Sequence, residues 1–135
     1  MSIDKPENTH RVFAEAARAG SLEPLVALYE PDAVIVERDG ALSIGTKAIR
    51  AHLEHLLALE PSMSIDASWA VTHGEIALLC SRWSAQIRTP DGRISTIEAR
   101  GSEIVRRQRD GTWKLVVDNP WVVEVDTASM QQVGV

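Results

Sequence analysis

The sequence predicts an α+β domain in which three N-terminal helices pack in the concave face of a curved antiparallel sheet. Two observations carry this. Apolar residues recur at helical spacing as far as about Leu59, and from Met63 to Val71 they follow a period of two. Turn signals at His73-Gly74, Pro90-Asp91-Gly92 and Asp110-Gly111 then divide the second half into long strands.

In the first helix, Asp4 and Glu7 have capping-box spacing, and Pro6 is tolerated in a first turn. Val12, Phe13, Ala16 and Ala17 form its apolar face, and Gly20 ends it. Ser21 caps a second, short helix carrying Leu22, Leu25, Val26 and Leu28, closed by Pro31. Ala33 to Arg38 is short and β-branched, a strand, and Leu42-Ser43-Ile44 returns beside it after Asp39-Gly40. The third helix runs from about Thr46 to Leu59 on Ile49, Leu53, Leu56 and Leu57, and Pro61 stops it. Met63, Ile65, Ala67, Trp69 and Val71 alternate as a half-buried strand. Three more strands follow: one reaching Arg88, one from about Arg93 to Arg107, and one from Trp113 to Val125 that Asn119-Pro120 bends.

The chain of 135 residues, 44% hydrophobic and 24% charged, fits a single domain with a real core, about 8 to 125, and a flexible tail at 126 to 135. A net charge of −5 argues against nucleic-acid binding, and the basic group Arg106, Arg107 and Arg109 reads as a solvated hairpin end. No apolar stretch approaches the roughly 20 residues of a membrane span. The N-terminus lacks the apolar core of a signal peptide, so a cytoplasmic location is expected. The lone Cys80 lies in an apolar run and reads as a small hydrophobe. His52 and His55 are three apart on one helix, but no further ligand pattern joins them, and neither a metal nor another cofactor is expected. His10 and His73 read as surface or turn residues.

Several segments resemble one family. Ala16 to Leu22, Leu28 to Val34 and Gly45 to Arg50 resemble the helical half of SnoaL-like and ketosteroid-isomerase-like domains. Arg100 to Gln108 and Asp110 to Leu115 resemble their closing hairpin, and Asp118-Asn119-Pro120-Trp121 is similar to a signature of a subgroup often placed with DUF4440 proteins. The resemblance spans about Arg11 to Trp121. It implies the NTF2-like, cystatin-like cone, a small-molecule pocket and a homodimer. It does not imply one activity, because this fold hosts isomerases, cyclases, dehydratases and non-enzymatic modules.

The resemblance also implies candidate site residues. Glu37 matches the general-base position just past the first strand; read from the residues alone, it is equally a strand-end carboxylate. Glu103 matches the acid that holds an oxyanion. Phe13 stands where the family's oxyanion tyrosine would, and phenylalanine donates no hydrogen bond, so a steroid isomerase is not expected. The same carry-over puts Arg82 and Ser84 on the pocket side of the long strand, Asp118 on the pocket side of the last, and His52 on the pocket side of the third helix. A buried Arg82 would need acid partners, which Glu103 and Asp118 could supply, and it would suit an anionic or carbonyl-bearing ligand. An ion-pair network that merely fills the interior is the competing reading. Strand parity opposite to Arg82 sends Trp69 and Trp83 to the outer sheet face, where large aromatics favour a dimer interface. Trp113 reads as core or hairpin packing. Trp121, with Asn119 beside it, closes the pocket or covers a strand edge. Three functions stay open: acid–base catalysis on a small carbonyl compound, ligand binding without conversion, and an assembly module with a vestigial pocket.

Overall fold

The computed structural model describes residues 1–122. After a 3-10 turn at Pro6–Asn8 come α1 (Thr9–Ala19), α2 (Leu22–Val26), β1 (Tyr29–Val36), β2 (Leu42–Ile44) and α3 (Gly45–Ala58). Four strands complete the described chain: β3 (Ser62–His73), β4 (Ile76–Arg88), β5 (Ile94–Arg107) and β6 (Trp113–Asn119). The α+β layout matches expectation, with three α-helices among the described residues. The end of the expected last strand, 123 to 125, and the tail lie outside the described residues.

Local chemistry accounts for most boundaries. Gly20 ends α1 with φ 70°, a left-handed turn that lets its N–H reach back to Ala16 and Ala17. The expected capping box does not form. Pro6 opens a 3-10 turn instead, and the Thr9 hydroxyl donates to the Pro6 carbonyl at 2.7 Å. Pro31 does not close a helix either. α2 ends at Val26, and Pro31 lies inside β1, in a bulge between Tyr29 and Val34 where its missing N–H costs no ladder bond.

The six strands form one curved sheet in the order β2-β1-β6-β5-β4-β3. It is not wholly antiparallel, because β1 runs parallel to β6 while the other neighbours are antiparallel. α3 packs on β1 and α1 on β3. The core between helices and sheet gathers Val12, Ala16, Leu25, Leu28, Ile35, Ile49, Leu53, Leu79, Val105 and Leu115.

The register explains how the two faces differ. Directly paired residues share a face, so rows can be followed across the sheet. Ser43, Ile35, Asp118, Glu103, Leu79 and Ala70 form one row facing the helices. The adjacent row, on the opposite face, is Ile44, Val34, Val117, Ile104, Leu78 and Val71, apolar across all six strands. Two carboxylates therefore sit in the middle of the concave face, and an aliphatic band crosses the outer one.

Candidate functional site

The concave face and the helices enclose a cavity of about 310 Å³, at the lower end of the usual range for small-molecule sites. Phe13, Leu56, Leu59, Met63, Ile65 and Ile97 are among its apolar walls. Its polar groups fall into three sets.

The first set is the floor. Asp118 and Glu103 are register partners on β6 and β5, both buried. The Tyr29 hydroxyl, at the start of β1, donates to Asp118 Oδ2 at 2.6 Å. His10 on α1 joins its Nε2 to Glu103 Oε1. Burial raises the Asp118 pKa to about 7, and the neighbouring Glu103 charge adds to the rise. The Tyr29 hydrogen bond and the charge of His10 oppose it, as weaker influences than burial. Burial and the same acids also push the Tyr29 phenol well above its ordinary value, so it stays a donor. Near neutral pH the floor thus offers a carboxyl poised between its two protonation states.

Gly101 makes room for this arrangement. A Cβ there would lie 2.7 Å from Glu103 Oε2 and 3.0 Å from Ser81 Oγ. The carboxylate, at the free end of a flexible side chain, yields before the backbone does. Gly101→Ala is expected to displace Glu103 from His10 and to cost about 1–3 kcal/mol through overpacking. Urea unfolding reads the cost and the His10 ring signals in ¹⁵N NMR read the displacement; unmoved His10 signals would contradict it.

The second set lies where β1, β2 and α3 meet. His52 Nδ1 and the Ser43 hydroxyl both reach Glu37 Oε1, each at 2.7 Å. His55, one turn further along α3, turns its Nδ1 to the Ala51 carbonyl at 2.9 Å. The two histidines therefore address different partners.

The third set is aromatic. Trp83 from β4 and Trp121 meet edge to face with centroids 5.3 Å apart. The Trp83 ring N–H donates to the Pro120 carbonyl at 2.8 Å, and the Arg38 guanidinium lies 4.4 Å above the Trp121 ring.

Of the residues singled out from sequence, Glu37, Glu103, Asp118, His52, Phe13 and Trp121 all line the cavity. Arg82 and Ser84 do not. On β4 the inward residues are Leu79, Ser81, Trp83 and Ala85, because Leu79 pairs with Glu103. Arg82 projects from the outer face, paired with Arg100, and Ser84 is paired with Glu98. Burying the indole and leaving the guanidinium in water is the cheaper parity. Trp83 correspondingly moves from the expected outer face to the cavity wall, while Trp69 stays outside, 55% exposed. Asn119 also misses the cavity: it pairs with Ser102 on the outer-facing row and donates to its hydroxyl at 3.1 Å. Cys80 is half-buried on that face, between Trp69 and Ser102. Trp113 is buried in the core, as expected.

His10 is a correction, since its side chain is only 11% exposed and touches Glu103. Its spacing from Phe13, one helical turn, was the available signal. Tyr29 left no local signal; only the parallel pairing of β1 with β6 brings it to Asp118.

The model of the SnoaL-like domain family matches residues 10–116. No curated protein matches the sequence significantly. Among solved structures, an NTF2-like protein with a cystatin-like fold from Novosphingobium aromaticivorans aligns with TM-score 0.72 at 16% identity, covering 96% of this chain and 86% of that one. A provisionally named ketosteroid isomerase from Shewanella frigidimarina gives TM-score 0.72 at 19% identity, covering 83% and 90%. A provisionally named dehydratase of the NTF2-like family from Streptomyces avermitilis gives 0.73 at 17%, covering 83% and 91%. At such identities the likeness is one of fold.

Proposed function

This chain belongs to the SnoaL-like family, and we propose that it binds a small, mainly apolar carbonyl compound and moves a proton next to the carbonyl. The observation that carries this reading is the buried Asp118–Glu103 pair, held by Tyr29 and His10 at the floor of an apolar cavity. A carboxyl with a pKa of about 7 both gives and takes protons near neutrality, which suits general acid–base catalysis. Isomerisation, dehydration and cyclisation share such a step. The provisional names of the dehydratase and isomerase neighbours agree with it.

A direct test uses 2-tetralone, a two-ring ketone with acidic C–H bonds beside its carbonyl. Incubated with the protein in D₂O, it is expected to exchange those protons for deuterium faster than in buffer, as followed by proton NMR. Binding is checked separately by thermal shift. Binding without accelerated exchange would favour a pocket that holds a ligand and leaves it unchanged.

The protein is further proposed to act as a homodimer through the outer sheet face. Support comes from the aliphatic band across that face together with Trp69, since large exposed apolar surfaces mark association sites.

A further inference from the structure

We infer that His52 is a second proton-transfer group of the cavity and that Glu37 is its positioning residue; the assignment rests on the proton-transfer reading above. It departs from the role that position suggested for Glu37 as the base itself.

Three elements converge on one oxygen atom. Glu37 stands just past β1, Ser43 on β2 and His52 on α3, and both the hydroxyl and the imidazole meet Glu37 Oε1. An ionised carboxylate only accepts hydrogen bonds, so the ring atom facing it, Nδ1, carries the hydrogen. In the neutral imidazole the lone pair is then on Nε2, the arrangement by which a carboxylate holds a histidine ready as a base. Among the described residues no protein group bonds His52 Nε2, and the ring lines the cavity. Glu37, already accepting two hydrogen bonds on one oxygen, is tied to orienting the ring. The side chains are 20% and 31% exposed, so the pair is neither sealed in the core nor free in solvent.

The same cavity thus carries a nitrogen lone pair at His52 and, at Asp118, a carboxyl able to hold a proton near neutrality, both among its lining groups. For an enolisable ring ketone the balance is simple. His52 Nε2 takes the proton from the carbon beside the carbonyl, and the C–H electron pair becomes the C=C bond. The carbonyl π pair moves to oxygen, which takes the Asp118 proton. The products are a neutral enol, an imidazolium and a carboxylate, and reversal restores all three groups. A cavity of about 310 Å³ suits ketones of one or two fused rings.

Two measurements test this. Long-range ¹H–¹⁵N spectra, with the His52 signals assigned by their loss in His52→Gln, are expected to show the neutral ring protonated on Nδ1. Glu37→Gln should release that preference, and a wild-type ring protonated on Nε2 would overturn the assignment. In the 2-tetralone exchange assay, His52→Gln and Glu37→Gln are each expected to slow exchange by about 100-fold while the thermal shift caused by 2-tetralone persists. Glu37→Asp should recover part of the rate, which loss of mere structural support would not allow. Exchange at the wild-type rate in His52→Gln, with exchange lost in Asp118→Asn, would reject His52 and leave the proposed function standing. No exchange in wild-type protein that binds 2-tetralone would reject both.

Discussion

Asp118→Asn is expected to slow 2-tetralone exchange by at least about 100-fold and, at pH 8, to make the protein more stable. Both effects have one origin. In the folded protein burial and Glu103 hold the Asp118 pKa up to about 7, against an ordinary value of 3.8. The folded state therefore binds more protons than the unfolded state between about pH 4 and pH 7. By linkage, stability is greatest below that window and falls as pH rises through it. The penalty above pH 7 has an upper bound of roughly 4 kcal/mol, from about 1.4 kcal/mol per pH unit of displacement. A gain of about 1–3 kcal/mol for the variant, inside that bound, is the expected scale. Asparagine keeps an oxygen for the Tyr29 hydroxyl at almost the same volume, so the packing survives. Urea unfolding at pH 4 and pH 8 measures the effect: the variant should gain at pH 8 and little at pH 4. A gain of equal size at both would show that Asp118 does not carry the titration.

The second large effect concerns assembly. Leu78 lies in the outer aliphatic band on β4, 42% exposed, between Ile104 on β5 and Val71 on the edge strand β3. If two copies bury this band against each other, Leu78→Asp places a desolvated, unpaired charge within the interface. The cost of several kcal/mol is enough to separate a dimer at micromolar concentration. Light scattering should report twice the chain mass for wild type and the single-chain mass for Leu78→Asp, with the far-UV circular dichroism unchanged. A wild-type protein of single-chain mass, or an unaltered mass in the variant, would remove the outer face as the interface. The band is also where the sequence was hardest to read. Ile76-Ala77-Leu78-Leu79-Cys80 is apolar on both faces, so its period-two signal cannot say which parity points inward. The inward placement of Arg82 rests on the family resemblance, not on alternation, and the structure puts its neighbours Ser81 and Trp83 there instead.

The sequence by itself determined the class of the fold, most element boundaries and the resemblance to the SnoaL-like domain, and only through that resemblance did it point to Glu103 and Asp118. Fold class and element boundaries depend on local period and turn chemistry, which are written in neighbouring residues. Only the tertiary structure decided that Tyr29 donates to Asp118, that His10 meets Glu103, that His52 and Ser43 share one Glu37 oxygen, and that Trp83 rather than Arg82 walls the cavity. Each of those contacts joins elements distant in sequence through sheet register, the bulge in β1 and the parallel β1–β6 pairing. A slip of one residue in any of them turns the side chain to the opposite face, and no local pattern records the choice.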